Sequence, residues 1–95
     1  MIDIICTQRI KPGMEVQAEK LLREAERETL AHDKGCERYE WYRGQEPSTY
    51  VLIERWTDRE AAQTHLRSPH MARILKELGE IAPEKFTFTR ITRLG

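Results

Sequence analysis

An α+β domain of order β-α-β-β-α-β is the fold this sequence predicts, and three observations carry the prediction. The spacing of apolar residues changes from alternation to a helical repeat and back along the chain. Glycine and proline cluster where the period changes. Ninety-five residues hold one modest core and no second one.

Ile2, Ile4, Cys6 and Ile10 alternate on one face of a first strand, with Ile5 and Thr7 on the other. Lys11-Pro12-Gly13 is a turn signal. From Met14 to about Asp33 the repeat is helical: Met14, Ala18, Leu21, Leu22, Ala25 and Thr29 form a stripe that His32 continues into the last turn. Lys34-Gly35 is the stop, with Gly35 as the left-handed cap. Cys36 to Arg43 and Thr49 to Trp56 are β-rich runs joined by Gly44 to Ser48, a hairpin with a longer loop. In simple registry Tyr39 and Trp41 lie near Leu52 and Tyr50, on the face that also carries Glu54 and Trp56. Val51 and Ile53 share the other face with Arg38, Glu40 and Arg55.

Thr57 followed by Glu60 reads as a capping box that starts a short helix through about Leu66. Ser68-Pro69 restarts it, with serine as N-cap and proline at the first helical position. Met71, Ile74, Leu75 and Leu78 form its apolar stripe, Pro83 ends it, and Phe86 to Leu94 alternates as a last strand. Two βαβ-type halves around a central hairpin make the ferredoxin-like arrangement, a four-stranded antiparallel sheet with its helices on one face. The open face still carries Ile5, Val51, Ile53 and Ile91, and a second copy would cover it as a homodimer of α/β-barrel type. Arg38, Arg55 and Arg93 on the same face are the argument for a monomer.

Sixteen basic residues balance sixteen acidic ones, and no basic block offers a nucleic-acid platform. No apolar run is long enough to span a membrane. Cys6 and Cys36 are too few for a disulfide scaffold and suit a reducing compartment as apolar fillers. The start, with an acid where a signal peptide carries basic residues, reads as a strand of a cytoplasmic protein.

The stretch from Glu54 to His70 concentrates chemistry: an aromatic strand end, a capped helix, a helix break and two of the three histidines. Histidine changes charge near neutral pH, so this grouping points to a small-molecule site. A solvated helix with incidental histidines fits the same spacing. A metal centre would need three or four convergent ligands; His65 and His70 straddle a helix break with Glu54 nearby, an unfamiliar spacing that argues against one.

Pro12-Gly13, Gly35-Cys36-x-x-Tyr39, Glu54-x-Trp56, Ala61-Ala62 and His65-x-x-Ser68-x-His70 occur in an order that resembles the antibiotic biosynthesis monooxygenase family, over nearly the whole chain. The resemblance implies a small dimeric ferredoxin-like protein that oxidises a quinol or polycyclic phenol with molecular oxygen, without metal or other cofactor. It implies a pocket between helices and sheet, with Tyr39, Trp41, Tyr50 and Trp56 as walls, although aromatics in so small a domain also serve as plain core. His65, one turn past two small alanines, is the proton-handling candidate, and His70 its partner or a residue of the pocket mouth. Glu54, if buried beside Trp56, needs a partner: Arg90, a neighbour in the dimer, or a backbone amide.

The haem-degrading branch of that family carries an asparagine, a tryptophan and an iron-binding histidine where this chain has Cys6, His65 and Leu75, which argues against haem. The Ser68-Pro69-His70 segment also resembles a bacterial isomerase of a phosphorylated quorum-sensing sugar, in which His65 and His70 would move protons between adjacent carbons. A binding module for aromatics, without turnover, is the reading outside enzymology.

Overall fold

Seven elements follow the expected order, the second helix being split in two, in a computed structural model that describes residues 1–95. They are β1 (Ile2–Arg9), α1 (Glu15–His32), β2 (Cys36–Arg43), β3 (Thr49–Trp56), α2 (Arg59–Leu66), α3 (Pro69–Ile81) and β4 (Thr87–Ile91). The strands form one antiparallel sheet in the order β2-β3-β1-β4, the ferredoxin-like arrangement.

The alternation read from the sequence sorts the two faces. Cys6, Tyr39, Leu52, Glu54 and Trp56 are buried under the helices. Cys6, Tyr39, Leu52 and Trp56 meet Ala18, Leu21, Leu22 and Ala25 of α1 and Met71, Ile74, Leu78 and Ile81 of α3 in one core. Ile5, Val51 and Ile53 on the other face are only partly covered. No helix is long and apolar enough to cross a membrane.

Four local expectations need correction. The hairpin pairs Tyr39 with Glu54 and Trp41 with Leu52, two residues from simple registry. A bulge between Cys36 and Arg38 accompanies the shift, and a shift of two keeps every side chain on its face. Asp58, not Thr57, caps α2: its Oδ1 accepts the Ala61 N–H at 2.9 Å. His32 leaves the buried stripe and lies exposed, 3.2 Å from Glu28. The last strand is five residues long and exposed throughout, because at the sheet edge it packs on β1 alone.

Gly35 behaves as expected, with φ +79°, and it also fixes a close approach. A Cβ there would lie 2.6 Å from Thr57 Oγ1 and 2.7 Å from Ala61 Cβ. The bare backbone lets the end of α1 press against the corner between β3 and α2, where the Thr57 N–H bonds the Gly35 carbonyl at 2.8 Å. Gly35→Ala therefore combines left-handed strain with overpacking, each costing about 1–2 kcal/mol. Urea unfolding should show a loss of at least about 2 kcal/mol on those magnitudes; an unchanged midpoint would mean that the corner relaxes freely.

Candidate functional site

A cavity of about 270 Å³ lies between the sheet and the α2–α3 pair. Its floor includes Ile4, Cys6, Tyr39, Trp41, Leu52 and Glu54, and its roof Ala62, His65, Ile74 and Leu75. Fourteen of its sixteen wall residues are hydrophobic, the exceptions being Glu54 and His65, and no lysine or arginine reaches it. Phe88 of β4 is in the wall yet 56% exposed, so the mouth lies toward that edge.

His65 is 3% exposed, held edge-on to Tyr39 and 4.7 Å between centroids from Trp56. Its Nδ1 lies 2.5 Å from Asp33 Oδ2. The same carboxylate oxygen is 3.2 Å from His70 Nε2, which also lies 3.2 Å from the Ser68 hydroxyl. With Asp33 Oδ2 taken as the acceptor of both contacts, the proton of His65 is assigned to Nδ1 and that of His70 to Nε2. His65 Nε2 is then the free acceptor of a ring that forms part of the cavity roof. Burial pushes the His65 pKa below its ordinary 6.5, opposed by the hydrogen bond and charge of Asp33.

Local chain geometry explains the meeting. Asp33 caps the C-terminus of α1, its N–H bonded to the Thr29 carbonyl, just before the turn at Gly35. Helix α2 ends when the Arg67 and Ser68 amides turn back to Thr64 and His65. Ser68 then caps α3, accepting the Met71 N–H at 3.4 Å while donating to the His65 carbonyl at 2.7 Å. This break swings His70 onto the oxygen that already holds His65.

Glu54 is 5% exposed and accepts one hydrogen bond, from Trp56 Nε1 at 2.7 Å. Arg90, the partner considered from sequence, makes no hydrogen bond or ion pair with it; the partner is the indole two residues along its own strand. Burial raises the Glu54 pKa against that single opposing bond. Cys6 beside it is pushed up to about 12, chiefly by burial, which makes it an inert thiol. Trp41 Nε1 and Thr29 Oγ1 are buried without hydrogen-bond partners.

The structure thus brings Tyr39, Trp41, Glu54 and His65 into one wall. His70 stands behind His65, on the far side of Asp33. Trp56 is fully buried, backing His65 and holding Glu54 rather than lining the cavity. Tyr50 lies outside the cavity and donates its hydroxyl to Glu19 at 2.8 Å. Asp33 is the residue that the sequence reading missed. Its signal is an acid at the negative end of an 18-residue helix, a place that disfavours negative charge unless cations or donors meet it.

Asp33, His65 and His70 place their ligand atoms within 4.8 Å of one another, so a metal deserves a test. Two ligands of one tetrahedral zinc stand about 3.4 Å apart, from metal–ligand bonds of roughly 2.1 Å. The 2.5 Å contact between Asp33 and His65 is instead a short hydrogen bond, closer than two ligands of one zinc stand. The cluster fits proton handling.

The family model for antibiotic biosynthesis monooxygenase matches residues 1–77. A crystal structure of an antibiotic biosynthesis monooxygenase is 25% identical, with TM-score 0.91 over 100% of both chains. The structure of Rv0793 from Mycobacterium tuberculosis is 26% identical, with TM-score 0.88 over 99% of this chain and 95% of that one. A conserved protein from Methanosarcina mazei Go1 shares the fold at 24% identity, with TM-score 0.87 over 95% of this chain and 89% of that one. No curated protein sequence matches the chain.

The lowered His65 pKa has a definite sign for stability. Below 6.5 the unfolded chain takes a proton that the folded chain refuses, so the contribution is full above 6.5 and is lost as pH falls through the folded value. Thermal unfolding followed from about pH 7 to about pH 5 should show a falling Tm, with that component absent in His65→Gln. The same slope in the variant would put the titration on another group.

Proposed function

The chain belongs to the antibiotic biosynthesis monooxygenase family, and from that premise we propose that it is a cofactor-independent monooxygenase of a quinol or polycyclic phenol. The observation that carries this reading is a buried imidazole, oriented by the half-buried Asp33 carboxylate, in the roof of a cavity whose wall is apolar apart from Glu54. His65 Nε2 takes the phenolic proton. The electron-rich anion passes one electron to oxygen, and the radical pair combines at a ring carbon to give a peroxide, protonated by the imidazolium. Loss of the hydrogen on that carbon, with cleavage of the O–O bond, leaves a carbonyl and one water. Both electrons that reduce the second oxygen atom come from the substrate.

Asp33 is a positioning residue in this scheme: it fixes the His65 tautomer and balances the imidazolium when it forms. Trp41 Nε1, buried beside the Tyr39 hydroxyl without a well-formed hydrogen bond, is assigned in this scheme as the donor to a ligand oxygen. The alternative of a phosphorylated ketose is disfavoured by the wall itself, since a phosphate needs cationic or multiple N–H donors and no lysine or arginine lines the cavity. The partly covered Ile5, Val51 and Ile53 with the exposed Ile91 favour a homodimer through the open sheet face.

Oxygen uptake with a panel of reduced quinols and polycyclic phenols tests the reading. His65→Ala should lower turnover about 10²–10⁴-fold, the usual worth of a positioned base. Asp33→Asn should lower it less and move the pH profile. Trp41→Phe should weaken binding about fivefold to tenfold, one hydrogen bond's worth. Tryptophan quenching by these compounds without oxygen uptake would instead make the protein a binding module.

A further inference from the structure

We propose that Glu54 stands in the cavity wall as a neutral carboxylic acid that donates its O–H to the ligand, so that the site takes an aromatic with a carbonyl oxygen toward the sheet and a phenolic hydroxyl toward α2. The ligand half of this inference rests on the cavity being the reaction site; the protonation of Glu54 does not.

Glu54 occupies an interior position of the sheet, paired with Tyr39 across β2 and with Ile4 across β1. Its titratable neighbours are the Cys6, Cys36 and Tyr39 side chains and, from α2, His65. The same burial holds both thiols and the phenol in their neutral forms. His65 is neutral, and its proton points to Asp33. Arg90 shares the face two strands away, opposite Ile4, and is exposed without bonding Glu54. No cation therefore faces the carboxyl from any packed element.

A buried carboxylate is stable when a cation or two to three N–H donors satisfy it. Glu54 has one neutral donor, Trp56 Nε1, on Oε1 alone. Oε2 makes no hydrogen bond and belongs to a residue of the cavity floor. A proton on Oε2 removes the unbalanced charge and turns that oxygen into a donor toward the cavity. The raised pKa agrees with this arrangement. Trp41, the other side chain of the floor whose donor makes no well-formed hydrogen bond, lies two pairs further along the hairpin with its Nε1 beside the Tyr39 hydroxyl. The floor therefore offers donors and the roof offers an acceptor, His65 Nε2. A ligand that matches both sides presents an acceptor oxygen to one and a hydroxyl to the other.

Infrared difference spectra of the parent against Glu54→Gln read the protonation directly. The parent at neutral pH should show the carbonyl stretch of a protonated, dry carboxylic acid; Glu54→Gln should lack it; and 2-hydroxyanthraquinone should shift it. The second measurement compares 2-hydroxyanthraquinone with 2-hydroxyanthracene, which lacks the carbonyls. Glu54→Gln keeps an N–H donor and should bind the quinone within about threefold of the parent, whereas Glu54→Leu should lose about tenfold for the quinone and little for the anthracene, as deletion of one hydrogen bond predicts. Absence of a Glu54-dependent acid band at neutral pH overturns the proposal, as does equal weakening of both probes in the two variants. If Glu54→Leu does not fold, the infrared band and Glu54→Gln decide. Failure of oxygen uptake would remove the monooxygenase reading and leave the infrared result standing.

Discussion

One carboxylate oxygen, Asp33 Oδ2, holds the site together. It accepts from His65 and His70 at the point where the end of α1, the end of α2 and the start of α3 converge. None of these three ends could be buried there alone. A carboxylate at a helix C-terminus is electrostatically misplaced, and the N–H groups of the buried His65 and the half-buried His70 need acceptors. Together they satisfy one another, and Gly35 makes the convergence possible because no side chain separates the end of α1 from Thr57 and Ala61. The geometry of the candidate base is therefore inherited from the backbone of the α1–β2 turn as much as from the histidine itself.

The two polar residues of the cavity wall are driven in opposite directions by the same cause. Burial disfavours charge, which lowers the histidine's pKa and raises the carboxyl's. His65 becomes an acceptor available at neutral pH and Glu54 a donor, although their ordinary behaviour would make Glu54 the charged one. Environments that push two titratable groups apart in this way are how one site obtains both an acid and a base. The neutral wall also suits an uncharged aromatic and molecular oxygen, since neither has to displace a counter-ion.

Much of this was legible in the sequence, for reasons that particular residues show. Alternation along β1 and β3 sorts the faces whatever the exact register, so the two-residue shift of the hairpin left Tyr39, Trp41, Glu54 and Trp56 on the predicted side. Ser68-Pro69 announces the helix restart because serine caps and proline needs no N–H there. What sequence could not give is the rotation of α2 that turns His65 inward, since the helix is short and carries a weak apolar stripe. Asp33 escaped because its partners lie 32 and 37 residues away, and nothing local reports such a contact. Tyr50 and Trp56 were grouped with the cavity aromatics because period two assigns a face but not a position along the sheet. Tyr50 sits at the hairpin end, beside Glu19, and Trp56 at the strand exit behind His65.

Asp33 matters unequally to the two protonation states of His65, and that asymmetry bears on catalysis. With the ring neutral, the Asp33 contact is one hydrogen bond among several restraints, because the tilted contact with Trp56 and the edge-on contact with Tyr39 also hold the imidazole. Once the ring accepts a proton, the cavity wall contains an imidazolium that burial strongly disfavours, and the only compensation within the protein is the carboxylate 2.5 Å away. In the proposed reaction, a phenolate formed on the other side of the ring completes an alternating row of charges: ligand anion, imidazolium, carboxylate. Proton transfer then moves charge along a row that is already anchored, without asking the apolar wall to solvate an isolated ion. His70, held on the same oxygen, restrains the carboxylate from following the proton. The arrangement therefore stabilises the transferred-proton state more than the resting one, which is the difference that catalysis requires.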